Sequence, residues 1–208
     1  MAFSTGTLGH IAFEQGDYAA AQSFFEKGLM LFREAKDKVG VAYALGNLGD
    51  SLYKQGNYER AKAFYEESLE LHQDIGGKSA VTSMLSDLGH VSLHQNHWQR
   101  ARALFAESLA LQRELEDKQS IAGCLAGLAG VAEREGQPER AARLLGTAEA
   151  LLEASDTHPP PIVQAEYDRN VAAVRAQLDE AALAAAWTEG RARDLEATVA
   201  ELLVELGG

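Results

Sequence analysis

Val41-Ala-Tyr43-Ala-Leu45-Gly-Asn47-Leu48-Gly49-Asp50-Ser-Leu52-Tyr-Lys54-Gln55-Gly56-Asn57-Tyr58, followed by Glu59-Arg-Ala61-Lys-Ala-Phe64-Tyr65-Glu-Glu-Ser68-Leu69-Glu-Leu71, is the stretch on which the fold turns. Val41, Leu45, Leu48 and Leu52 stand at i, i+4, i+7 and i+11, one face of a helix. Ala61, Phe64, Tyr65, Ser68, Leu69 and Leu71 do the same for a second helix. The four residues between them have stop-and-restart chemistry: Gly56 takes the left-handed conformation that ends a helix, and Asn57 caps the next. The unit is a helix hairpin.

Working outward, the same unit recurs every 40 residues. Leu8, Leu48, Leu88 and Leu128 are each followed by a small residue: Gly9, Gly49, Gly89 and Ala129. Ala21, Ala61, Ala101 and Ala141 keep step, with Phe25, Tyr65, Phe105 and Leu145 four residues later and Leu31, Leu71, Leu111 and Leu151 closing each unit. The turn reappears as Gln15-Gly16-Asp17-Tyr18, Gln95-Asn96-His97-Trp98 and Glu135-Gly136-Gln137-Pro138. Pro138 suits the first turn of a helix, where its missing amide hydrogen costs nothing. A fixed period of this size signals a repeat architecture, in which each hairpin buries its apolar face only against its neighbours.

These residues resemble the tetratricopeptide (TPR) family: Leu-Gly in helix A, a Gly-[Asp/Asn]-Tyr turn, then Ala and an aromatic in helix B. The period of 40 departs from the ~34 of the family and resembles its longer-helix variant. Repeat one starts late, at Met1-Ala2-Phe3, about a turn short of the others. The expectation is an all-α, right-handed α-solenoid of about four hairpins (1–38, 39–78, 79–118 and 119–155) with a helical capping segment over 156–208. Gly9, Gly49 and Gly89 are expected to let helices A and B approach closely, and helix A to line a concave groove.

After Leu151 the period breaks at Asp156-Thr-His-Pro159-Pro160-Pro161, which stops a helix. Val163, Tyr167, Val171, Val174 and Leu178 form one further stripe, and Leu195, Val199, Leu202 and Leu206 another. A shorter helix with Leu183 and Trp187 lies between them, and Asp194 is placed to cap the last. Glu139-Arg-Ala-Ala-Arg143-Leu-Leu-Gly146-Thr-Ala148, Glu166-Tyr167-Asp168-Arg169 and Trp187-Thr-Glu-Gly190-Arg191 resemble the C-terminal end of large bacterial signalling and transcriptional regulators. The resemblance implies the sensor or scaffold end of such a protein.

Helix A carries a second stripe, displaced from the apolar one, that changes between repeats while the core does not. It runs Phe3, Thr7, His10, Glu14; then Tyr43, Asn47, Asp50, Lys54; then Ser83, Asp87, His90, His94; then Gly123, Gly127, Gly130, Arg134. Side chains freed from packing are available to a ligand. The candidate partner-binding residues are therefore Thr7, His10, Tyr43, Asn47, Asp50, Lys54, Asp87, His90, His94 and Arg134. The family resemblance implies that Asn47, just before Leu-Gly, bonds the backbone of an extended peptide. The bare glycines of repeat four are expected to receive the C-terminal helices. A protein or peptide ligand in the groove is the leading expectation. A small-molecule or signal-peptide pocket involving Tyr43, Tyr53 and the Gly123/Gly127/Gly130 floor is the second, and a self-association scaffold forming a homodimer the third.

Composition narrows the partners. A net charge of −12, with acidic residues interspersed among Lys and Arg, repels phosphate backbones and argues against nucleic acid. The single Cys124, in the apolar run Ile121-Ala-Gly-Cys-Leu125, reads as a buried small hydrophobe and fits a reducing, cytoplasmic compartment. No stretch reaches the ~18 apolar residues of a membrane span. Gly76-Gly77-Lys78-Ser79 mimics the end of a phosphate loop, but its required earlier Gly is His72, and the slot is an inter-repeat turn. His90, His94 and His97 lack the Glu of a zinc motif. No cofactor, metal or catalytic constellation is expected, so the chain reads as a binding module and not an enzyme.

Overall fold

The structure, a computed structural model, describes residues 2–155 and 161–207. The expected proline break at 156–160 lies outside them, as do the side chains of Phe3, Pro161 and Leu206. Among the described residues the fold is all-α. Four hairpins are formed by α1 (Ala2–Glu14) and α2 (Tyr18–Glu34), α3 (Lys38–Lys54) and α4 (Tyr58–Ile75), α5 (Lys78–His94) and α6 (Trp98–Leu115), and α7 (Lys118–Arg134) and α8 (Pro138–Ser155). They are followed by α9 (Pro161–Gln177), α10 (Glu180–Ala192) and α11 (Leu195–Gly207). This is the α-solenoid class of helix hairpins expected from the 40-residue period.

The turns use the chemistry read from the sequence. Gly16, Gly56, Asn96 and Gly136 have φ of 79°, 76°, 60° and 73°. In each, the following amide reaches back over the end of the helix, as in Asp17 N to Ala12 O (2.9 Å) and Asn57 N to Leu52 O (2.9 Å). That is the Schellman closure of orphan carbonyls. Asp17 and Asn57 then accept from the amides of Ala20 and Arg60. The turns between repeats repeat the device, with Asp37 and Asp117 capping α3 and α7 through Gly40 N (3.0 Å) and Ser120 N (3.1 Å). Gly76, left-handed at φ 81°, ends α4, so Gly76-Gly77-Lys78 is the inter-repeat turn expected.

The molecule divides into two compact units, Met1–Val91 and Ser92–Gly208. In the first, Phe25, Leu29, Phe32, Leu45 and Leu48 form the core. Its close helix approaches depend on missing side chains. A Cβ at Gly9 would lie 2.6 Å from the Phe25 ring, and one at Gly49 would overlap the Tyr65 ring.

In the second unit Phe105, Leu109, Leu125, Leu145 and the fully buried Cys124 make the core. Here the C-terminal helices take three different seats. α10 packs on α8, as α7 packs on α6. The crossing is backbone on backbone: a Cβ at Gly146 would collide with Trp187 O, and one at Gly190 with Arg143 O. Thr147 Oγ1 donates to Gly190 O (2.8 Å), Trp187 Nε1 to Glu149 (2.7 Å), and Arg191 pairs with Glu149 and Glu153 (2.6 Å each). α9 lies on α7, and α11, capped by Asp194 at Ala197 N (2.9 Å), returns to α6.

Candidate partner-binding face

In the first unit α1, α3 and the start of α5 bring most of the second stripe together. Tyr43, 45% exposed, has its hydroxyl on the His10 ring nitrogen. The His10 ring in turn stands edge-on to Phe25, centroids 5.3 Å apart. Thr7 is exposed one turn before His10. Asn47 is half-buried, and its amide donates to Tyr43 O (2.7 Å), so in this state the side chain expected to hold a peptide backbone is bonded to its own helix.

Farther along α3 the face becomes acidic. The Asp50 carboxylate accepts from the Tyr65 hydroxyl (2.8 Å). Burial pushes its pKa up to about 6, against the opposing effects of the Tyr65 bond and the Lys54 charge. Asp87 is raised well above the usual carboxylate range, by burial first and then by the Asp50 charge. A carboxyl beside a second carboxylate keeps its proton more readily, and the two titrate together. Tyr65, which the sequence assigned to the core alone, also serves this face through its hydroxyl.

Three expected contacts are corrected. His90, placed on the open stripe, is buried at 1% exposure and has no surface to offer. His94 lies in the second unit and is held by the chain's own α9, with Glu166 at 3.1 Å and Arg169 at 2.6 Å. Tyr53 is buried (6% exposed) with its ring against Tyr58, centroids 5.4 Å apart, and so offers little surface to a pocket. Arg134 is exposed at the end of α7 and bonds Gly130 O (3.1 Å) and Glu133.

The glycines of repeat four do receive a C-terminal helix. A Cβ at Gly123 would come within 3.2 Å of Val163, and one at Gly130 within 2.8 Å of Asn170. Asn170, 3% exposed, donates to Ala126 O (2.9 Å), a backbone carbonyl of α7. Gly127 differs, since its missing Cβ makes room for the Phe105 ring of the core.

A cleft of ≈ 380 Å³ opens between α1 and α3, walled by Gly6, His10, Phe32, Val39, Gly40 and Tyr43. Its signal is present in the sequence but spread over three repeats. Phe32 corresponds to His72 and Gln112, and Val39 to Ser79 and Gln119, so only the first inter-repeat slot is apolar. The next slot is narrowed by Met84, whose methyl lies 3.5 Å from the place of a Gly46 Cβ.

The family model described as a MalT-like TPR region matches residues 2–203. The crystal structure of BtubC (BKLC) from P. vanneervenii is similar, with a TM-score of 0.66 at 18% identity over 98% of this chain and 80% of that one, a likeness of fold alone. No curated protein sequence matches the chain. With the family model spanning nearly every residue, and four hairpins in phase beneath it, the chain belongs to the family of MalT-like TPR regions.

Proposed function

We propose that the chain is a protein- or peptide-binding module, the sensor or scaffold part of a cytoplasmic bacterial regulator, and that it performs no reaction itself. The observation that carries this reading is the contrast on the first unit. Ala21, Ala61, Ala101 and Ala141, the same residue in every hairpin, are each buried at 0% exposure, while Thr7, His10, Tyr43, Asn47, Asp50, Lys54 and Asp87 vary and gather on one face. Positions fixed by packing repeat, and positions chosen for a ligand do not have to. No described helix is long and apolar enough to cross a membrane.

The test is a comparative pull-down from bacterial lysate with the wild-type chain beside an Asn47→Ala/Asp87→Ala variant of matched melting temperature. A protein retained by the wild type alone supports the reading. Equal retention by both, or by neither, sinks it. The ≈ 380 Å³ cleft favours a second reading, a small amphipathic ligand, because its size suits one. That reading expects a metabolite mixture, and not a protein, to raise the melting temperature of the wild type.

A further inference from the structure

The repeat lets one half of the molecule serve as a template for the other. Residues two periods apart occupy corresponding places, so α7 and the end of α5 in the second unit correspond to α3 and the end of α1 in the first. In the second unit the helix-A face is occupied. α9 sets Val163 over Gly123, Glu166 at His94, and Asn170 over Gly130 with its amide on Ala126 O. These three are i, i+3 and i+7 of one helix, the side that a helix presents to a groove.

Moved back by 80 residues, each contact meets different chemistry. Gly123 becomes Tyr43, one wall of the apolar cleft, whose neighbour Val39 is 57% exposed. His94 becomes Glu14, and Gly130 becomes Asp50, with Asp87 close by. The apolar requirement at i is kept, while the polar requirements at i+3 and i+7 turn acidic on the protein's side. A helix with the charges of α9 would place Glu166 against Glu14, so neither α9 nor its copy in a second chain suits this face.

We propose that the α1/α3 face of the first unit binds an amphipathic partner helix with an apolar side chain at i, seated in the cleft, and Lys or Arg at i+3 and i+7, facing Glu14 and Asp50. This rests on the peptide-binding reading and names the chemistry of its ligand. The second unit shows this face of the repeat carrying a helix, and on the first unit the carboxylates supply the charge complementarity that selects and orients one.

The test uses the full chain and two fluorescent synthetic peptides with the 17-residue sequence of α9, one native and one with Glu166→Lys and Asn170→Arg. The charge-swapped peptide should bind at least tenfold more tightly by anisotropy, with affinity falling as salt is raised. Gly6→Leu fills the cleft from α1, where a Cβ meets only the Tyr43 ring at 3.8 Å, and should weaken binding at least tenfold without lowering the melting temperature. Val39→Glu, at an exposed position, is the second blocking variant, and Glu14→Gln/Asp50→Asn should remove the preference for the swapped peptide. Equal binding of the two peptides, or binding indifferent to all three variants, overturns the proposal. A parallel selection of 16-residue phage-displayed peptides separates it from the broader reading. Selected peptides that lose affinity with Asn47→Ala but lack the pattern leave the groove reading standing and this inference fallen. No selected peptide at all brings both down.

Discussion

The helix-A faces of the two units are built from the same repeat and end in opposite states. On α7 the face is small residues, Gly123, Ala126 and Gly130, and a helix of the same chain lies on it, with Asn170 completing a backbone carbonyl. On α3 the corresponding places are Tyr43, Gly46 and Asp50, of which Tyr43 meets His10 of α1 and Asp50 accepts from Tyr65 of α4. Removing side chains makes a bed that the chain fills. Keeping them makes a surface that discriminates. The difference teaches that a repeat protein sets which part of its groove is structural and which is open by a few substitutions on a constant core.

The comparison rests on the core being the same in both halves and on its being complete where a neighbour exists. Leu48, 1% exposed, should cost about 2–5 kcal/mol on truncation to Ala. Leu8, at the same repeat position but 47% exposed, should cost about 1 kcal/mol or less. Paired urea titrations read both, and equal losses would mean that repeat position, and not burial against a neighbour, sets the cost. In the filled half, Gly190→Ala drives a Cβ into Arg143 O and should cost about 1–3 kcal/mol. Hydrogen exchange should show the loss in α8 and α10 ahead of α1 to α4.

Asn170→Ala removes a second bond to Ala126 O, a carbonyl in the interior of α7 that keeps its helical partner, and should cost about 0.5–1.5 kcal/mol. Its mark is faster exchange along α9 with the first unit unchanged; unchanged exchange in α9 would mean that the bed, and not the bond, holds the helix.

The acidic face gives an effect of opposite sign. Asp50 has a folded pKa of about 6, above that of the unfolded chain, so between about pH 4 and about 6 the folded state holds a proton that the unfolded state has shed. Stability therefore rises as pH falls from 7 through that window, and the ionised carboxyl is a cost at neutral pH. Asp50→Asn, which can still accept from Tyr65, should stabilise the chain by roughly 1–2 kcal/mol at pH 7 and flatten its stability between pH 7 and 5. Melting temperatures across that range decide it, and a destabilised Asn variant would mean that the carboxylate charge is itself favourable.

Much of this architecture is legible in the order of residues alone. The left-handed turns, the caps at Asp17, Asn57 and Asp194, the close approach at Gly9 and Gly49, and the reception of a C-terminal helix by the glycines of repeat four all follow from local chemistry and a fixed period. What is not legible depends on relations that the period does not carry. His90 and Tyr53 fall near the edge of the apolar stripe, where a small rotation of the helix moves a ring from surface to core. Asn47 has two partners within reach, its own carbonyl and a ligand's, and sequence does not rank them. The separate seats of α9, α10 and α11 come after the repeat has ended, where no earlier unit predicts the next.

The Gly146–Gly190 crossing also bears on how such a chain can lengthen. α10 packs on α8 as α7 does on α6, but so closely that backbone touches backbone. A fifth hairpin added behind α8 would have to evict a helix that no side chain holds away. A 40-residue duplication inserted between earlier hairpins would meet the same turns on either side and leave that closure untouched. The array therefore has a growing region in its interior and a fixed stop at its end, and insertions that preserve folding should sort accordingly.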